Sequence, residues 1–223
     1  MSLGGFQRTT PIVLNLIIIN ALVFFAQKVF GDVSFDLFAL HHSGSKAFEP
    51  YQLVTHMFMH GNFFHLLFNM LALWMFGSNM ERIWGPKRFL TFYLICGLGA
   101  AVAQLINYQV DYGNIPLASL DEMQRNYVEE VWLKNATVGA SGAIMGILAA
   151  FGYTFPNTTL FIMPIPFPIK AKWAITGIIA IDVFGGISKI PGDNIAHFAH
   201  VGGALIGLIL VIFWNKTRKD SFY

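Results

Sequence analysis

Apolar residues in this chain come in long runs, and polar residues collect in the gaps between them. About 20 mostly apolar helical residues are needed to cross roughly 30 Å of hydrocarbon. Six runs approach or reach that length: Pro11–Phe30, Phe58–Met80, Phe89–Tyr108, Ala136–Phe155, Trp173–Ile187 and Ile195–Trp214. The fifth is the weakest, being short and carrying Asp182. No basic cluster precedes the first run and no small-residue cleavage pattern follows it, so it reads as a span and not as a cleaved signal. In the gaps, Leu120, Met123, Tyr127 and Val131 recur at helical spacing with acids between them, which predicts a surface helix. The segment Phe161–Ile169 carries Pro164, Pro166 and Pro168, which exclude a regular helix; it reads as an interfacial loop.

Composition supports spans over a soluble core. The 223 residues are 55% hydrophobic and only 12% charged, against roughly a quarter charged in ordinary globular proteins. A soluble chain of this length leaves about a third of its unfolded surface wet and could not hide so much apolar side chain. The expected fold is an all-α integral membrane bundle of six spans, a single domain over residues 1–223. Cys96 is the sole cysteine, so no disulfide scaffold is expected, and a net charge of +2 indicates no surface for nucleic acid.

The charges orient the spans. With the N-terminus inside, the cytoplasmic pieces hold Arg8, Arg82, Lys87, Arg88, Lys170, Lys172, Lys216, Arg218 and Lys219. The other side holds Lys46, Arg125, Lys134 and Lys189, with Lys28 near the outer end of the first span, and nearly all the acids, Asp193 among them. Both termini are therefore expected in the cytoplasm.

Polar side chains inside a bilayer are costly and mark candidate chemistry. Here they are His65 and Asn69 in the second span, Ser141 in the fourth, Asp182 in the fifth, and His197 and His200 in the sixth. If spans two, four and six start near Met59, Asn135 and Asn194, then His65, Ser141 and His200 each lie six residues in, roughly 9 Å below the outer edge. Ser141 sits in Gly139-Ala140-Ser141-Gly142, where Gly142 and Gly146 also suit plain helix packing. A serine at a helix N-terminus has backbone N–H groups at hand for an anion. His200 lies beside a ridge of Ala199, Gly203 and Gly207 and is the candidate general base; His197, one turn nearer the surface, ranks second. His65 and Asn69, four apart, share a face and could present two donors to a developing oxyanion, or serve as interhelical hydrogen bonds.

Taken in order along the spans, these residues resemble the rhomboid intramembrane serine proteases, from about Phe48 to Leu210. The resemblance rests on His56-x3-His60-x4-His65-x3-Asn69, Gly77-x3-Glu81-x3-Gly85, Gly139-Ala140-Ser141-Gly142 and Ala199-His200-x-Gly202-Gly203-x3-Gly207. It implies Ser141 as nucleophile and His200 as base in a dyad. It also implies an oxyanion site of His65, Asn69 and the Ser141 N–H, and no metal or organic cofactor. Asp182 is then expected to be a polar residue near the outer mouth. The implied fold is a six-helix bundle around a central fourth span, with a membrane-embedded loop after the first span and a mobile fifth span. The implied partners are single-span membrane protein substrates and the lipid bilayer. The implied location is the bacterial inner membrane, with the site opening to the extracytoplasmic side. Two positions depart from the family pattern: Met145 where many members carry an aromatic residue, and Tyr51-Gln52 where many carry Trp-Arg. Two other readings stand beside this one. One is a non-catalytic relative that binds membrane proteins; the other is a membrane metal oxidoreductase built on His41-His42, His56-x3-His60 and His197-x2-His200.

Overall fold

The computed structural model describes residues 9–113, 115–161, 167–188 and 195–217. Of the residues used above, Arg8, Pro164, Pro166, Lys189, Asp193, Asn194, Arg218 and Lys219 lie outside them. The chain is a helical membrane protein. In order, it forms α1 (Pro11–Phe30), α2 (Asp32–Phe38), α3 (Gln52–Thr55), α4 (Phe63–Ala72), α5 (Ser78–Trp84), α6 (Pro86–Tyr112), α7 (Glu122–Lys134), α8 (Ser141–Thr154), α9 (Ala171–Ser188) and α10 (His197–Thr217). A single π turn, Leu73–Gly77, joins α4 to α5. The strands β1 (Thr159–Leu160) and β2 (Ile169–Lys170) pair antiparallel at the two ends of the proline-bearing segment.

Five helices among the described residues are long and apolar enough to cross a membrane: Pro11–Phe30, Phe63–Trp84, Pro86–Tyr112, Ala171–Ser188 and His197–Lys216. The fourth predicted span departs from expectation. Its helix begins at Ser141, not near Asn135, and is 14 residues long, about 21 Å. The cause lies in the strap before it. Thr137 exchanges both backbone hydrogen bonds with Leu40, each at 2.9 Å, and Tyr108 Oη donates to Asn135 O at 2.5 Å. Gly139 then turns through φ +129°, which side-chain-bearing residues avoid. Span two likewise starts at Phe63, where Asn62 Oδ1 accepts from His65 N at 2.9 Å as a cap.

Every residue of α8 from Gly142 to Gly152 is buried, so this helix forms the axis of the bundle. Small residues set its neighbours. A Cβ on Gly203 would stand 1.9 Å from Gly142 O, and one on Gly207 would stand 2.5 Å from Gly146 Cα. Because Gly142 meets Gly203 and Gly146 meets Gly207, α8 and α10 run parallel, in register. Gly142 also faces Ala100, and Gly146 faces Cys96, so α6 packs antiparallel against the same helix. This is the close approach that small residues permit between membrane helices.

The motif Gly77-x3-Glu81-x3-Gly85 builds the end of the bundle remote from Ser141. Glu81 is buried, and its carboxylate accepts from Ile12 N at 3.0 Å and Val13 N at 2.8 Å. It thereby satisfies the first donors of α1, where a negative group is favoured. Gly77 faces Leu73, Phe89 and Val13 closely, and Gly85, at φ +79°, breaks the chain before Pro86. At this end Arg88 lies over the Trp214 ring, 4.3 Å from its centre.

Candidate active site

The site forms where the N-terminal ends of α4, α8 and α10 meet. Ser141 is the first residue of α8, His65 the third of α4 and His200 the fourth of α10. The equal depth of six residues expected for all three therefore does not hold. The helices start later than the apolar runs do, because Asn62 and Gly139 end the preceding loops in non-helical backbone. The side chains still converge. His200 Nε2 lies 2.7 Å from Ser141 Oγ, and the register Gly142–Gly203 is what brings these two positions together. Both residues are part-buried, not sealed.

Ser141 at the head of α8 has no side-chain cap before it, and the first i→i−4 bond there is Ile144 N to Ala140 O at 3.0 Å. The first-turn N–H groups ahead of Ile144 have no partner within the helix. Gly139 places this turn against α4: a Cβ there would stand 2.8 Å from His65 Nε2 and 3.5 Å from Ser141 Oγ. Asn69, one turn beyond His65, is buried, and its Nδ2 donor has no partner among the described residues. A buried amide donor left unmade is expensive, so it suits a ligand oxygen.

The loop between α2 and α4 is held by polar contacts at its backbone. Gln27 of α1 accepts from His60 N at 3.0 Å and donates to His60 O at 3.1 Å. The His60 ring then meets His65 edge-on, with centres 5.1 Å apart. Burial lowers the His60 pKa to about 4, and His65 opposite pushes the same way. Burial likewise lowers that of His56 to about 4, against the pull of its bond to Gln52 O. Gln52, which departs from the family pattern, is fully buried. It donates to Leu37 O at 3.1 Å and Ala47 O at 2.7 Å, so the loop has an anchor at this position. The remaining histidines are engaged separately: His41 Nε2 with Asp36 O, and His42 stacked on Trp132. No three His, Cys, Asp or Glu side chains among the described residues are grouped to hold a metal ion.

Asp182 is more than a polar residue near the outer mouth: it is buried, and its Oδ1 lies 2.8 Å from His197 Nδ1 and 3.0 Å from His200 Nδ1. Helix α9 runs antiparallel to α10, so no periodicity along the chain connects Asp182 to either histidine. The one available signal was the cost of a carboxylate in an apolar run, which calls for a donor on another helix.

Residues 47–216 match the Rhomboid domain. The chain belongs to the rhomboid family. It is 31% identical to Rhomboid protease AarA of Providencia stuartii over 221 residues, covering 95% of this chain and 73% of that protein. Against RHOMBOID-like protein 12, mitochondrial, of Arabidopsis thaliana it is 30% identical over 234 residues, 98% of this chain and 65% of the relative. Against Presenilin-associated rhomboid-like protein, mitochondrial, of Mus musculus it is 31% identical over 220 residues, 96% of this chain and 51% of the relative. This rhomboid chain thus spans from half to three quarters of the length of these proteins. The matched region takes in His65, Asn69, Ser141, Asp182 and His200, and leaves α1 and α2 outside. Rhomboid relatives occur in bacteria and in mitochondria, so membership assigns a multi-pass integral membrane protein without assigning the membrane.

Proposed function

We propose that this protein is an intramembrane serine endopeptidase acting through Ser141 and His200. The observation that carries the reading is the 2.7 Å contact between Ser141 Oγ and His200 Nε2 at the head of a buried helix. That distance lies within the reach required of a nucleophile and its base. The reaction divides into two steps. Ser141 Oγ attacks the scissile carbonyl carbon as its proton passes to His200 Nε2. The oxyanion accepts hydrogen bonds from the Ser141 N–H, Asn69 Nδ2 and His65. The C–N bond then breaks and Nε2 gives its proton to the leaving amine. Water attacks the acyl-enzyme, its proton goes to Nε2, and Oγ leaves with that proton.

The substrate is a single-span membrane protein. A helical peptide bond is internally hydrogen-bonded and must unwind locally, so helix-destabilising residues near the outer end and a small residue at the cut are favoured. The charge distribution supports a site opening on the extracytoplasmic side, as in a bacterial inner membrane. The purified full chain, reconstituted with a reporter membrane substrate, tests this. Wild type should cleave, Ser141→Ala and His200→Ala should not, and a fluorophosphonate should label wild type alone. Cleavage surviving in Ser141→Ala would overturn the proposal.

A further inference from the structure

We propose that Asp182 is the positioning residue of the histidine base, so that the site works as Asp182–His200–Ser141, with His197 a second donor to the carboxylate, and not as a bare serine–histidine pair. The inference rests on the reading of Ser141 and His200 given above. One carboxylate oxygen lies 3.0 Å from His200 Nδ1, while the opposite ring nitrogen, Nε2, lies 2.7 Å from Ser141 Oγ. An ionised carboxylate only accepts, so Nδ1 must carry the proton. Nε2 is then left with the lone pair that receives the serine proton, and the tautomer that catalysis needs is set by Asp182. When Ser141 attacks, the positive charge that forms on the ring faces that carboxylate and is stabilised there. Asp182 keeps no proton at any stage; the Oγ proton moves to Nε2 and from there to the leaving amine.

The arrangement is built, not incidental. A buried carboxylate is costly unless hydrogen-bonded, and His197 Nδ1 supplies a second donor to the same oxygen at 2.8 Å. Two glycines make room for it. A Cβ on Gly185 would stand 2.5 Å from the His197 ring, and one on Gly186 would stand 2.9 Å from Phe198. The glycine pair one turn beyond Asp182 therefore lets α9 approach α10 closely enough for the contact. His197, the second-ranked base on sequence grounds, becomes the group that orients Asp182.

A carboxylate that merely ties α9 to α10 would serve the same geometry, and the test separates the two roles. The full chain in detergent is treated with a small fluorophosphonate, which reports serine reactivity without needing a substrate helix, and kcat and KM are measured on the reporter substrate. Asp182→Asn keeps the size but offers an N–H to Nδ1, favouring the wrong tautomer. It should lower the labelling rate and kcat by about 100-fold or more, with KM within about threefold. His197→Ala removes the other α9–α10 bond and should lower both by less than about fivefold. Asp182→Glu, which keeps an acceptor, should regain at least about a tenth of wild-type labelling. If Asp182→Asn does not fold by its thermal melt, Asp182→Glu against Asp182→Gln makes the same comparison. Labelling of Asp182→Asn within threefold of wild type, or His197→Ala as damaging as Asp182→Asn, overturns the proposal. Cleavage persisting in Ser141→Ala or His200→Ala would instead sink the protease reading beneath it.

Discussion

At the scale of single residues, the site depends on backbone as much as on reactive side chains. Gly139 sits at φ +129° with the His65 ring where its Cβ would be. Gly139→Ala should cost about 1–3 kcal/mol in backbone strain alone and displace either His65 or the Ser141 turn. Fluorophosphonate labelling is expected to fall at least tenfold, with a lower melting temperature; unchanged labelling would contradict the placement. Asn69 makes a different prediction, because its buried Nδ2 has no partner to lose among the described residues. Asn69→Ala should leave the melt nearly unchanged while kcat on the reporter substrate falls by roughly 10²–10³, the usual effect of removing one oxyanion donor. A large loss of stability with kcat intact would make Asn69 a packing residue instead. Both positions were visible in the sequence, Asn69 as a candidate donor and Gly139 as part of a motif. The physical demand on Gly139 was not visible, since a positive φ leaves no mark beyond the glycine itself.

At the scale of elements, the Ser141–His200 contact depends on two helices held in register. Gly203 and Gly207 press against Gly142 and Gly146, and His200 precedes the first of these contacts by less than one turn. A methyl group at Gly203 cannot be absorbed at 1.9 Å from a backbone oxygen, so α10 must move away from α8. Gly203→Ala should therefore abolish labelling and lower the melting temperature, whereas Gly177→Ala should do neither, since a Cβ there meets nothing within 4 Å. Equal behaviour of the two variants would refute the register argument. The glycine ridge was legible as a packing surface from its spacing of four. Its partner was not, because spacing describes one face of one helix and says nothing of which helix lies opposite.

At the scale of the molecule, acid should loosen the loop that carries the site. His56 and His60 have pKa values lowered to about 4 by burial, and burial lowers that of His42 as well. Between these values and the ordinary 6.5, the unfolded chain binds more protons than the folded one. Their contribution to stability is therefore complete above pH 6.5 and declines as pH falls toward 4, by as much as about 3 kcal/mol for each of His56 and His60. Thermal melts in detergent should hold steady from pH 8 to 6.5 and drop below that. His60→Phe, which cannot titrate, should flatten part of the slope. A melting temperature independent of pH down to 4.5 would show that these rings are not kept neutral by the fold.

Hydropathy alone identified a helical membrane protein, because burying apolar runs in lipid is decided by each segment's own composition. It placed the first span at Pro11–Phe30, and it singled out Ser141, His200, His65 and Asn69, because polar groups stand out against an apolar background. Helix starts were beyond its reach. The fourth helix opens at Ser141 after a strap whose Thr137 bonds Leu40, a residue nearly a hundred positions earlier. The partner of Asp182 was equally out of reach. Two antiparallel helices bring a carboxylate to two histidines across the turn between them, and a helical period counted along the chain does not carry from one helix to the next. Composition and periodicity are properties of a segment, and they determined the class and the candidates. Which side chains share a proton depends on distances between segments, and only the tertiary packing of α8, α9 and α10 set those.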